Sequence, residues 1–257
     1  MMDDMKIVGT VDVTELVFLA FVLFFLALLV YLRREDRREG YPLEDEVTGR
    51  IDTPGGVLST ASPKSFHMPF GRGTVTTPTQ GREKVDVAGA RTFRSPGAPY
   101  YPTGNPLVDG IGPAAWAERA KHTDLDGEGR NRIVPIGAAE HISIHPRDPD
   151  PRGMKVIAAD GAVAGTITDI WVDRAEHVIR YLEVDTGSRK VLAPMAMSKV
   201  HRKKGQVEID AINASDYAAA PVPGTAGQIT FYEEERIVAY FGGGYLYANS
   251  ARQEPLI

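Results

Sequence analysis

Five carboxylates, Asp169, Asp173, Glu176, Glu183 and Asp185, fall within 17 residues. Acids held close together raise one another's proton affinity, so such a group can carry exchangeable protons near neutral pH. Spacing alone does not separate that role from a solvated acidic face. A second acidic run, Asp124-Leu125-Asp126-Gly127-Glu128-Gly129, resembles the start of an EF-hand calcium loop. It fails further on: the twelfth position, which needs a bidentate Glu, is Pro135, and Arg130 and Arg132 fall inside the cage. His141 and His145 are four apart, but His-Ile-Ser-Ile-His alternates as a strand does. A strand would hold the two rings roughly 13 Å apart, too far for one ion. His201-Arg202-Lys203-Lys204 reads as a solvated hairpin tip.

Other chemistries are excluded by composition. The chain has no cysteine, so disulfides, thiolate metal sites and cysteine nucleophiles are absent. It has no G-x-S-x-G elbow, Walker loop or post-strand G-x-G-x-x-G. The formal net charge is -5, which argues against nucleic acid as a partner. An enzyme with its own catalytic constellation is not expected.

The elements that must position these acids begin with a membrane anchor. Leu16 to Leu32 is 17 residues without a charge, 14 of them Leu, Val or Phe. Starting at Val13, such a helix spans about 30 Å, the thickness of the hydrocarbon layer. Insertion gains on the order of 4–8 kcal/mol. A cleaved signal peptide fits poorly, because Asp3 and Asp4 replace the basic leader and Arg33-Arg34 replace a small-residue cleavage site. Lys6 precedes the span, and Arg33, Arg34, Arg37 and Arg38 follow it. The positive-inside rule therefore places the N-terminus outside and the remainder in the cytoplasm. Gly40 and Pro42 are expected to stop the helix.

Residues 40–113 hold 10 Pro and 12 Gly, yet aromatic and apolar residues recur from Tyr41 and Phe66 to Tyr101. A free linker does not need them, so an extended segment lying on partner subunits is expected over 33–113. Residues 114–122 are expected to form a short helix after Pro113. From Ile133 onward, Val156–Ala158, Val163–Val172, Val178–Val184, Lys190–Ala193 and Val207–Ile212 read as short strands. Asp160-Gly161, Thr186-Gly187 and Lys204-Gly205 mark turns between them. Ile229, Tyr232, Ile237, Tyr240 and Phe241 follow helical spacing, and Gly242-Gly243-Gly244 are expected to end that helix. The fold class is α+β. Residues 1–12 are expected to form an outer terminus, 13–32 a transmembrane helix, 33–113 a helix extension and the extended Pro/Gly-rich segment, and 114–257 a small, mainly antiparallel β-barrel with a C-terminal helix.

Several local sequences occur in a fixed order along the chain. Arg38-Glu39-Gly40-Tyr41-Pro42-Leu43-Glu44 follows the span, then Gly71-Arg72-Gly73-Thr74 and Pro102-Thr103-Gly104-Asn105-Pro106. Asp109-Gly110-Ile111-Gly112-Pro113-Ala114-Ala115-Trp116 comes next. Asp169-Ile170-Trp171-Val172-Asp173 and Tyr181-Leu182-Glu183-Val184 lie in the strand-rich part, and Gly242-Gly243 in the last helix. In these features the chain resembles the H subunit of the photosynthetic reaction centre of purple bacteria, a PRC-barrel family. The resemblance implies an accessory subunit, not an enzyme, that caps the cytoplasmic face of the L and M core subunits. It implies shielding of the quinone sites and help in delivering protons to the secondary quinone.

The resemblance also implies that no cofactor binds to this chain. Bacteriochlorophyll, bacteriopheophytin, quinones, non-haem iron and carotenoid would sit on partner subunits. A cytochrome subunit, the core light-harvesting antenna and membrane lipids are further partners it suggests. It places the chain in the bacterial inner, intracytoplasmic photosynthetic membrane. Carried over by motif, Glu176 is the acid nearest the proton route to the secondary quinone, with Asp173 and Arg180 beside it. Asp126, with Asp124 close by, falls at the proton uptake surface. Some relatives carry histidines where this chain has Glu128 and Arg130, so a metal-inhibition site there is not expected. Glu128 can relay a proton, whereas Arg130 cannot. A membrane-tethered PRC-barrel scaffold of another complex is the alternative reading.

Overall fold

Asp12 opens the apolar helix: its carboxylate accepts the Glu15 amide at 2.8 Å, satisfying one of the donors a helix start leaves free. In the computed structural model, which describes residues 6–8, 11–41, 43–52, 61–78 and 87–252, two short strands precede that helix. They are β1 (Lys6–Val8) and β2 (Val11–Asp12). Helix α1 (Val13–Glu35) has 23 residues, about 35 Å at 1.5 Å per residue. None of them is buried, and Phe18, Leu23 and Phe24 are more than 60% exposed. A helix apolar on every side and covered on none is stable only in lipid or against a partner. Glu15 in the first turn and Arg33 and Arg34 in the last complement the helix dipole. Most of the expected outer terminus (1–5 and 9–10), the helix stop at Pro42, and stretches 53–60 and 79–86 lie outside the described residues.

The chain divides into two compact units, Met1–Val85 with Phe93–Ala98, and Asp86–Thr92 with Pro99–Ile257. In the first, a 3-10 turn over Asp36–Arg38 leads out of α1, and Gly40 takes a left-handed φ of 73°. Two antiparallel hairpins follow, β3 (Leu43–Glu44) with β4 (Ile51–Asp52), and β5 (Lys64–His67) with β6 (Thr74–Thr77). Arg38 binds the second hairpin to the helix end. It donates to the Ser62 carbonyl at 2.9 Å, the Thr77 carbonyl at 2.7 Å and the Glu35 carboxylate at 2.8 Å.

In the second unit, β7 (Gly89–Arg91) pairs with β8 (Tyr100–Pro102), and helix α2 (Pro106–Asp109) starts with Asn105 capping the Leu107 amide. A seven-stranded sheet follows: β9 (Ile133–Pro135), β10 (Lys155–Ile157), β11 (Val163–Asp173), β12 (Val178–Asp185), β13 (Lys190–Pro194), β14 (Lys199–His201) and β15 (Gln206–Glu208). The order is β13-β12-β11-β10-β15-β14. The long β11 carries β10 on its first half and β9 on its second. All neighbours are antiparallel except β10 and β15. The expected Asp160-Gly161, Thr186-Gly187 and Lys204-Gly205 turns fall between successive strands. Helix α3 (Phe231–Tyr247) packs Ile237, Tyr240 and Phe241 into the core with Ile170, Leu182, Val191 and Tyr217. The architecture is α+β, as the periodicities require.

Three local expectations are corrected. Residues 114–122 do not form a helix: after a 3-10 turn at Gly112–Ala114 the chain runs extended. The His122 and Ala120 carbonyls accept the Phe231 and Tyr232 amides at 3.1 Å, so the segment satisfies the open donors at the start of α3. His141–His145 is not a strand, and His141 takes a left-handed φ of 64° that breaks the alternation. Gly242-Gly243-Gly244 do not end α3; they lie inside it, three residues short of its end. A Cβ on Gly243 would stand 2.9 Å from the Ala114 Cα and 3.0 Å from its nitrogen. The glycines let the helix backbone approach a neighbouring backbone, and burial of the helix outweighs their poor helix propensity.

Candidate functional site

Asp173 is the last residue of β11. A bulge between Trp171 and Val172 breaks the strand's alternation, so Ile170 through Asp173 are all buried. The Asp173 side chain is only 1% exposed. It turns back on the β11–β12 hairpin and accepts the Ala175 and Glu176 amides at 2.8 and 3.0 Å. Register pairs Asp173 with Ile133 of β9, which brings the preceding residue, Arg132, alongside. The Arg132 guanidinium then reaches three carboxylates. Its Nε lies 2.8 Å from Asp173, its Nη1 lies 3.3 Å from Asp124, and its Nη2 pairs with Glu176.

Helix α3 supplies the opposite wall. Thr230 and Glu233 form a reciprocal capping box at its start. That directs Glu234 to the Tyr181 hydroxyl of β12, which donates to it at 2.9 Å, with Arg180 at 3.6 Å. Glu235 pairs with Arg119 at 3.4 Å on the same rim. The result is a cleft of about 420 Å³ lined by five carboxylates (Asp124, Asp173, Glu176, Glu234, Glu235) and three arginines (Arg119, Arg132, Arg180).

The electrostatics of these acids differ in sign. Burial disfavours the charge on Asp173, but Arg132 and the two turn amides outweigh it and lower its pKa. Asp173 is therefore a fixed anion. Burial pushes Glu234 up, Tyr181 and Arg180 oppose, and the negative charges of Asp124 and Asp173 add to the rise. The net shift is upward, so Glu234 keeps a proton more readily than a free carboxyl does. The Tyr181 phenol is pushed up as well, first by burial and then by Glu234, and stays a donor.

The structure brings four of the sequence-predicted residues, Asp124, Asp173, Glu176 and Arg180, into one cleft. Asp126 and Glu128 do not line it. They belong to a loop closed by the Leu125–Asn131 bridge. Asp126 accepts the Arg130 amide at 2.9 Å, the Glu128 amide at 3.0 Å and the Arg130 Nε at 2.9 Å, and Glu128 pairs with the same guanidinium. The Arg130 amide first, and then its side chain, hold Asp126 below the usual carboxylate range against the effect of burial.

Two of the grouped acids, Asp173 and Glu183, are lowered, opposite to mutual elevation. Glu183 sits apart with Lys190 at 2.6 Å and Thr168 at 2.8 Å, and these outweigh burial and lower its pKa. In Asp173 and Glu183 the hydrogen-bonding partners, Arg132 and Lys190 foremost, outweigh burial and set the downward direction. The sequence reading missed Arg132, Tyr181 and Glu234. Arg132 stood out only as an obstacle to calcium. Among the described residues no group of three or more His, Asp or Glu is placed to hold a metal ion.

Residues 5–138 match the family model of the photosynthetic reaction centre H chain, N-terminal region, and residues 144–215 match the PRC-barrel domain. The first match takes in 134 of the 257 residues, including α1 and the hairpins that follow it. The second takes in the sheet from β10 to β15 and, with it, Asp173, Glu176, Arg180 and Tyr181 of the cleft. The one apolar helix long enough to cross a membrane among the described residues fits a single-pass membrane protein, and the PRC-barrel match covers the sheet. The chain belongs to the photosynthetic reaction centre H-chain family and is an H subunit of that complex.

Proposed function

We propose that this subunit caps the cytoplasmic face of the L and M core subunits, keeps water from their quinone sites and passes protons toward the secondary quinone. It performs no catalytic step of its own. The observation that carries the reading is the cleft in which one guanidinium, Arg132, fixes Asp124, Asp173 and Glu176 beside the protonatable Glu234. The arginines on α1, Arg33 and Arg34, favour a cytoplasmic location for everything that follows. The exposed Phe66, Phe70, Phe93, Tyr100 and Tyr101 suit surfaces covered by partner subunits.

When bound by the core subunits, the secondary quinone consumes two protons on full reduction. This chain's part is to hold and move them. Arginine cannot release a proton, so Arg132 and Arg180 only position and stabilise charge. The Glu176 carboxyl is 56% exposed, which leaves it the room to turn toward a partner and hand a proton on. Glu234 stores a proton behind it, and Asp173 stays ionised and keeps the local potential negative. A partly dry cap strengthens each of these interactions over its value in water.

The test is Glu176→Gln in the intact complex, followed by flash-induced absorbance. Proton-coupled reduction of the secondary quinone slows, and primary charge separation is unchanged. Identical second-electron kinetics would remove Glu176 from the route. A colourless preparation of the chain with its natural partners would favour the scaffold alternative.

A further inference from the structure

Residues 115–122 run as an extended strap along the start of α3. Trp116 lays its ring against Gly110, leaving no room for a Cβ there. The same indole meets the Arg236 guanidinium of α3, whose central carbon lies 4.9 Å from the Trp116 ring centroid and 5.6 Å from that of Tyr232. Tyr232 and Arg236 are one helical turn apart, so strap and helix clasp one cation with two aromatic rings. Among the described residues no carboxylate pairs with Arg236, and its Nε is buried without a hydrogen-bond partner. A cation–π contact gains strength when the cation is kept from water. At the strap's other end Lys121 lies 5.1 Å from the Tyr232 ring. Backbone bonds from the Phe231 and Tyr232 amides reach only His122 and Ala120. Ahead of these, the Ala117 amide and the Arg119 Nε both turn to Glu235 at 3.4 Å, long contacts on an exposed rim. The hold on 116–119 thus rests on Arg236.

We infer that Arg236 is a positioning residue for the proton cleft: clasped by Trp116 and Tyr232, it latches the strap to α3 and limits the water that reaches Glu234. The inference rests on the proton-transfer reading and adds the part that keeps the stored proton from solvent. Phe231, Glu234, Glu235 and Val238, spaced i, i+3, i+4 and i+7, are the face α3 turns to the cleft, and Arg119 of the strap joins them there. Tyr232 and Arg236 lie on the flank beside that face, where the strap crosses. The Glu234 side chain is 14% exposed, and burial is the first cause of its raised proton affinity. Tyr181 and Arg180 face it from β12, and Asp173 faces it from β11. Asp124 faces it from the loop ahead of β9, where Arg132 binds Asp124 and Glu176. Arg119 and Glu235 complete the surroundings as a pair, so a strap that lifts away changes hydration more than net charge.

The experiment uses the intact pigmented complex. Arg236→Gln removes the cation and Trp116→Leu the aromatic face, while Arg236→Lys and Trp116→Phe keep each in part. Two quantities are read: hydrogen exchange of the amides of 116–119, and the infrared titration of the Glu234 carboxyl C=O band, assigned by its loss in Glu234→Gln. In Arg236→Gln and Trp116→Leu, exchange over 116–119 is expected to quicken about tenfold, with the β11–β12 amides unchanged as the check on folding. The Glu234 midpoint is expected to fall toward its ordinary 4.5 as water enters. Arg236→Lys and Trp116→Phe are expected to lie between these variants and wild type on both readouts, and they carry the test if the other two fail to assemble. Unchanged exchange, a loosened strap with the Glu234 midpoint unmoved, or no rescue by either conservative variant overturns the proposal. Unchanged second-electron kinetics in Glu176→Gln would instead sink the proton-transfer reading, and the exchange and infrared results would still report on the latch.

Discussion

Replacing Arg132 with methionine removes the one cation shared by Asp124, Asp173 and Glu176. Asp124 and Glu176 reach water, but the Asp173 side chain is 1% exposed and keeps only its two turn amides. Stranding one member of a fully buried pair costs about 3–5 kcal/mol. Arg132 itself is a quarter exposed, so about 2–3 kcal/mol is expected here. For a unit of this size that is a fall in Tm of roughly 5–10 °C.

Both tryptophans, Trp116 and Trp171, lie in the second unit, so their fluorescence during denaturation of the detergent-solubilised chain reports that unit alone. The pH dependence supplies the stricter test. The folded-state pKa of Asp173 lies below its ordinary 3.8, so the pair's stabilisation is complete above 3.8 and lost as pH falls through the folded value. In the variant, burial dominates and protonation relieves the stranded carboxylate. The gap between wild type and variant must therefore close in acid. Arg132→Lys, which keeps the charge and loses the fork, falls between them. A gap under 0.5 kcal/mol at neutral pH, or one equally wide in acid, would refute the assigned role of Arg132.

Four further outcomes are expected. Gly243→Ala forces a Cβ against the Ala114 backbone and costs about 1–3 kcal/mol, whereas Gly242→Ala, with its nearest neighbour at 3.8 Å, is neutral or stabilising by thermal melting. Tyr181→Phe removes the donor that holds Glu234 down, so the Glu234 carboxyl C=O band in infrared titration persists to higher pH. The raised Glu234 pKa favours the fold below its ordinary 4.5, and this advantage is lost as pH rises through the folded value. Glu234→Gln therefore gains on wild type in alkali, measured by denaturation at two pH values. Leu23→Asp with Leu26→Asp puts two charges at mid-span, about 5–7 kcal/mol against insertion, and the chain becomes extractable from membranes by carbonate.

The membrane helix was legible because lipid asks only for length and apolarity, which a single continuous stretch displays. The turns were legible for a similar reason: Asp160-Gly161, Thr186-Gly187 and Lys204-Gly205 specify backbone shape locally. Asp173 and Glu176, three apart on one hairpin, were identified through family resemblance, and local chemistry explains how they meet. Their electrostatics were not legible. Arg132 is 41 residues from Asp173, and Tyr181 is 53 from Glu234. A pKa is set by whichever charge folding brings nearest, and linear spacing carries no such information. The glycines of α3 and the extended run before it mislead for the same reason. A glycine that ends a helix and one that admits a neighbouring backbone look alike until Ala114 is in place. Residues with helical composition stay extended when their carbonyls are needed by another helix's first turn. Local propensity, worth tenths of a kcal/mol per residue, selects the elements; long-range burial and ion pairing, worth several times that, decide what those elements face.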